Sequence, residues 1–122
     1  MEDLYIYKTI KEYYSIRKEN VPEKVLSLLK NIEPYLKDIS DFLEALHLQC
    51  EGVFPDGFIR QFEFRCTETN YMIWLALDCK ERTFYFSIKI NNSDWSVYHT
   101  NNWVDLSNIK QEIENFKKWI EN

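Results

Sequence analysis

Two histidines and three cysteines are the residues of this 122-residue chain whose types could hold a metal or drive nucleophilic chemistry. His47 and Cys50 lie three apart, and Cys66, Cys79 and His99 follow without a regular spacing. A zinc site draws nitrogen and sulfur ligands onto one ion, usually through a C-x-x-C or H-x-x-x-H pair, and the chain has neither. In a strand, residues three apart point to opposite faces, so His47 and Cys50 do not share an ion. A Cys–His nucleophile needs hydrogen-bond reach. His99 is expected on a strand at the far side of a sheet from Cys50 and Cys66, about three spacings away at roughly 4.8 Å each.

The remaining catalytic signatures are equally thin. Carboxylates are plentiful but mark no evident pocket, and two glycines make neither a G-x-G-x-x-G turn nor a P-loop. The expectation is a chain without cofactor or metal, and not an enzyme. An odd number of unspaced cysteines reads as reduced, buried thiols without a disulfide, and hence as a cytoplasmic protein.

The elements that position these residues are legible from hydrophobic period. Leu4, Tyr7, Ile10 and Tyr14 form one stripe over residues 3–17, an amphipathic helix. A second helix starts near Asn20–Glu23 and carries Val25, Leu28, Leu29 and Ile32. Pro34 breaks or restarts it, and the helical period continues through Leu36, Ile39, Phe42, Leu43 and Leu46. From residue 46 the period becomes two. "FPDGF" at 54–58 is a turn signal, and a three-residue loop at 55–57 pairs Gly52 with Arg60, Cys50 with Phe62, Leu48 with Phe64 and Leu46 with Cys66.

A loop at 67–70 then sets Phe64 opposite Ile73 and Phe62 opposite Leu75. A turn at Lys80–Glu81 sets Leu77 opposite Phe84 and Leu75 opposite Phe86. The loop Asn91–Asp94 sets Ile90 opposite Trp95, Ile88 opposite Val97 and Phe86 opposite His99. A last amphipathic helix carries Leu106, Ile109, Ile113, Phe116 and Ile120, capped by Asp105 or Ser107. The expected fold is one α+β domain over 1–122: N-terminal helices, a five-stranded antiparallel meander and a C-terminal helix, with the helices mainly on one sheet face.

Residues 70–79, NYMIWLALDC, are apolar on both faces. Ile73, Leu75 and Leu77 belong under the helices, so Trp74 points the other way. On that second face the register gathers Trp74, Tyr85, Tyr98, Glu63 and Arg65, with Glu51 at its edge. Trp, Tyr and Arg anchor protein interfaces because they bury much area at small entropic cost. These six are the candidate partner-binding residues. A helix over the same face would satisfy Trp74 as well. The acidic stretches Glu51–Asp56 and Asn91–Asp94 are then the next docking candidates.

Aromatic residues make up 16% of the chain, and the net charge is −5. The acidic chain, the carboxylates Glu63, Glu51 and Asp78 set beside Arg65 and Lys89, and the missing RNP-type pattern of basic and Gly residues argue against a nucleic-acid platform, and no apolar run is long enough to span a membrane. The N-terminus is studded with charge, unlike a secretory leader.

In size, acidity and helix-plus-meander layout the chain resembles, at class level, small bacterial inhibitors: immunity proteins of polymorphic or contact-dependent toxins, and phage-encoded anti-defence proteins. No motif ties it to one family. The resemblance implies a protein partner, with a basic nuclease toxin favoured because acidity complements it. The alternative is a small-molecule-binding or enzymatic α+β domain whose pocket, between helices and sheet, converges on His99 and Tyr71.

Overall fold

A computed structural model of the chain describes residues 4–90, 93–100 and 102–121. Helix α1 spans Tyr5–Ile16 and buries Tyr7, Ile10 and Tyr14 of the stripe read from the sequence, with Ile6 in addition, while Leu4 of that stripe is its half-buried N-cap. The expected start at residue 3 lies outside the described residues. Helix α2, Glu23–Leu26, begins after Pro22, which has no N–H to leave unpaired, and tightens into a 3-10 turn over Ser27–Ile32. Pro34 restarts rather than ends the helix. It sits in the first turn of α3, Glu33–Ala45, where its missing donor costs nothing.

Six strands follow: β1 Leu48–Asp56, β2 Ile59–Cys66, β3 Tyr71–Asp78, β4 Thr83–Ile90, β5 Ser96–His99 and the two-residue β6, Val104–Asp105. They form an antiparallel sheet in the order β1-β2-β3-β4-β5, and β6 also pairs with β4. Asp105 accepts the Ser107 N–H at 2.9 Å and caps the 3-10 turn Leu106–Asn108, which leads into α4, Ile109–Glu121. The four α-helices of the described residues lie on one face. There a single buried cluster joins Ile6, Leu36, Leu43 and Phe116 to Phe62, Phe64, Leu75 and Phe86 of the strands. The fold is α+β, with the helices and meander in the expected order.

The central registers are those the sequence predicts. Phe62 faces Leu75 and Phe64 faces Ile73; across the next pair, Leu75 faces Phe86 and Leu77 faces Phe84. Both outer registers differ. Strand β1 runs on through Pro55 to Asp56, which pairs with Ile59, so the turn is Gly57-Phe58 with Gly57 in left-handed backbone at φ +58°. Val53 then faces Phe62, Gly52 faces Glu63, and Cys50 faces Phe64, with Glu51 as the extra residue of a β-bulge. The predicted pairs Cys50–Phe62, Leu48–Phe64, Gly52–Arg60 and Leu46–Cys66 are therefore corrected, the last because Cys66 faces Leu48. Arg60, now opposite Pro55, stays on the helix side with Phe62 and Phe64, where it is only 4% exposed and donates to the Gly57 and Ile59 carbonyls at 3.0 and 3.2 Å.

On the other side, Ser87 faces His99 and Ile88 faces Tyr98, while Lys89 faces Ser96, leaving Val97 as a second bulge. This shifts the predicted register by one residue. A one-residue slip moves each side chain to the opposite face. Asn91 and Asn92 of the predicted loop lie outside the described residues.

Candidate functional site

Open sheet face

The face opposite the helices is built from alternate residues of β1 to β4, and no described helix lies on it. Glu63 on β2, Trp74 on β3 and Ser87 on β4 form one cross-strand row, and Arg65, Met72 and Lys89 form the next. Met72 and Ala76 are buried here yet stand outside the helix-side core cluster.

Trp74 is half-buried, and the residue that covers it was missed from the sequence. Phe54, turned to this face by the Glu51 bulge, stacks on the Trp74 ring at a centroid distance of 5.5 Å and 28° between planes. The Phe54 ring reaches it by lying over Gly52, where a Cβ would come within 2.5 Å of Phe54 Cε2. Glycine is required there by this close approach, not by its backbone angle. The adjacent apolar pair Val53-Phe54 was the available signal: alternation cannot place both on one face.

Tyr85 stands half-buried one strand on, against Trp103 of the β5–β6 connection at 6.3 Å. Phe54 is 46% exposed and Trp103 43%. Arg65 donates from Nε to Glu51 Oε1 at 2.6 Å and from an Nη to Gln49 Oε1 at 2.9 Å, so its charge is met within the face. Glu63 is half-buried beside Trp74. Five of the six residues expected on this face are therefore here: Trp74, Tyr85, Glu63, Arg65 and, at the edge, Glu51.

The sixth is not. Tyr98 is turned to the helix side by the Val97 bulge and packs between Phe86, at 5.8 Å, and Phe116, at 5.4 Å. Burial first, then the Glu112 carboxylate, raises its hydroxyl pKa. His99 makes the reverse exchange: expected against Phe86, it is exposed on the open side, with Nδ1 3.0 Å from the Thr100 carbonyl. The stretch Glu51–Asp56 is strand rather than an acidic loop.

The three cysteines are free and buried. Burial pushes the Cys50 thiol up to about 12, and it pushes Cys79 up to about 11 despite the opposing Arg60 charge. Neither supplies a thiolate near neutral pH. Among the described residues no three His, Cys, Asp or Glu side chains gather where they could hold a metal ion. No described helix is long and apolar enough to cross a membrane. Comparison with known proteins finds no matching family model, no similar curated protein and no similar solved structure.

Proposed function

We propose that this chain is a protein-binding inhibitor that acts by covering part of another protein with its open sheet face, without catalysis of its own. One observation carries the reading: no described helix covers this sheet face, and yet it presents Phe54, Trp74, Tyr85 and Trp103. Aromatic side chains set among polar ones are the composition of interface cores and their rims.

The sheet edges favour face-on binding over strand addition. Strand β1 is blunted by its bulge, by Pro55 and by the Tyr5 hydroxyl, which donates to the Leu48 carbonyl at 2.8 Å. Strand β5 is four residues long and bulged.

A net charge of −5 suits a basic partner, as the resemblance to toxin immunity proteins and phage anti-defence inhibitors implies, and a nuclease toxin is the favoured class. The competing pocket between helices and sheet has little support. One cavity there, against Tyr71, Ile88 and Phe116, measures about 10 Å³, the size of one water at most.

The test is capture on the immobilised chain from extracts of the organism that encodes it, followed by calorimetry with the purified partner. Trp74→Ala should weaken binding about thirtyfold, the equivalent of about 2 kcal/mol, with circular dichroism unchanged. Binding indifferent to Trp74→Ala, Phe54→Ala and Trp103→Ala would refute the face. A partner whose own activity survives a stoichiometric amount of the chain would refute inhibition.

A further inference from the structure

The open face is not flat. Between β3, β4 and the β4–β5 hairpin lies a depression of about 250 Å³, lined by Glu63, Trp74, Ser87, Lys89, Asp94 and Ser96 among others. That is below the range of about 300–1,000 Å³ usual for substrate and cofactor pockets, and it suits one side chain. Its ionic groups are unspent. Arg65 is satisfied by Glu51 and Gln49, but Glu63, Asp94 and Lys89 have no ion-pair or hydrogen-bond partner among the described residues.

Two carboxylates therefore stand against one ammonium, and they do so in a chain whose net charge is already −5. Glu63 is half-buried and fixed in register directly opposite Trp74, whereas Lys89 is exposed on a flexible stem that can swing aside. Carboxylate oxygens beside an indole ring match a planar cation. A guanidinium forks onto the carboxylate while its flat face stacks on the ring, which an ammonium does less well.

We infer that this depression receives an arginine side chain of the protein partner, stacked on Trp74 and paired with Glu63 and Asp94. The inference rests on the reading of the open face as a protein-binding surface, and names the chemistry that the partner brings to it.

The probe is N-acetyl-arginine amide, titrated into the isotope-labelled full chain at low salt, with the neutral isostere N-acetyl-citrulline amide as control. The readout is the Trp74 indole N–H resonance. A saturable shift is expected for the arginine probe, with citrulline about tenfold weaker. Glu63→Gln should weaken the arginine probe about three- to tenfold, and Lys89→Gln should tighten it. The opposite signs for the two variants would mark an anion site and overturn the inference. So would equal binding of the two probes, or no saturable shift.

The two readings fail separately. A captured partner that is lost on Trp74→Ala but indifferent to Glu63→Gln overturns the arginine slot alone. One indifferent to Glu63→Gln and to Trp74→Ala, Phe54→Ala and Trp103→Ala alike overturns the face as well.

Discussion

Replacing Gly52 by alanine should change stability with opposite signs in two backgrounds. In the native chain the new Cβ would meet Phe54 Cε2 at 2.5 Å and Cζ at 2.7 Å, so the ring must leave. Phe54 is 46% exposed, so roughly half its side chain, on the order of 100 Å², is buried; at about 25 cal/mol per Å² that is up to about 2.5 kcal/mol. A displaced ring finds some cover elsewhere. A loss of about 2 kcal/mol, including the Trp74 stack, is therefore reasonable. Alanine regains about 0.5–1 kcal/mol over glycine within a strand.

Gly52→Ala alone should thus destabilise by about 1–1.5 kcal/mol. In a Phe54→Ala background the clash is gone and the nearest remaining atom, Glu63 Cβ at 3.5 Å, is an ordinary contact. There Gly52→Ala should stabilise by about 0.5–1 kcal/mol. The cycle closes with a coupling of about 2 kcal/mol, measurable by urea denaturation at constant m-value. The Trp74 indole resonance should shift in the single glycine variant as the ring moves off it. Equal effects of Gly52→Ala in both backgrounds would show that Phe54 does not lie over Gly52 and that Trp74 is covered in another way.

Other variants probe the rest of the fold. Phe62 is fully buried, so Phe62→Asp should cost several kcal/mol and abolish the cooperative thermal transition; a native-like melt would reject the meander register. Tyr98→Ala should cost about 3 kcal/mol while His99→Ala costs less than about 0.5, and the reverse order would restore the register in which His99 faces the core. Native thiols should resist a disulfide-exchange reagent at pH 8, and the melting temperature should not respond to dithiothreitol; a reductant-dependent drop would reveal a disulfide. Because the Cys50 and Cys79 pKa values are raised in the folded chain, unfolding releases protons between about 9 and the folded values of about 12 and about 11. Stability should therefore fall as pH rises through that window, by at most about 1.4 kcal/mol per pH unit per thiol, and a melting temperature flat from pH 9 to 10.5 would contradict it.

The sequence carried the centre of the sheet and lost its margins for a definable reason. Phe62, Phe64, Ile73, Leu75, Leu77, Phe84 and Phe86 alternate without interruption between short loops, so only one register matches apolar to apolar. Bulges at Glu51 and Val97 each add a residue that alternation cannot count. The first sends Cys50 and Val53, three apart, to the same core face and releases Phe54 to Trp74. The second exchanges Tyr98 with His99. Strand β6 is two residues long, too short to leave a period. Most of the candidate face was nevertheless legible, because Trp74, Glu63, Arg65 and Tyr85 all lie on strands whose registers were unambiguous. Phe54 and Trp103 were not, since one depends on a bulge and the other on an irregular connection.

The order of the elements along the chain has a consequence for synthesis. Helices α1 to α3 leave the ribosome before any strand, and their apolar stripes, Ile6, Ile10, Leu36, Leu43 and the rest, pack against a sheet that does not yet exist. Short helices are marginal in water without such packing. Translating residues 46–90, which supply β1 to β4, takes about 2–9 s at about 5–20 residues per second. A β-hairpin closes in about 1–10 μs once its strands emerge, so translation sets the pace. For those seconds the nascent chain is an amphipathic segment with its greasy side uncovered, and this interval, rather than any state of the finished domain, is when a chaperone would have most to hold.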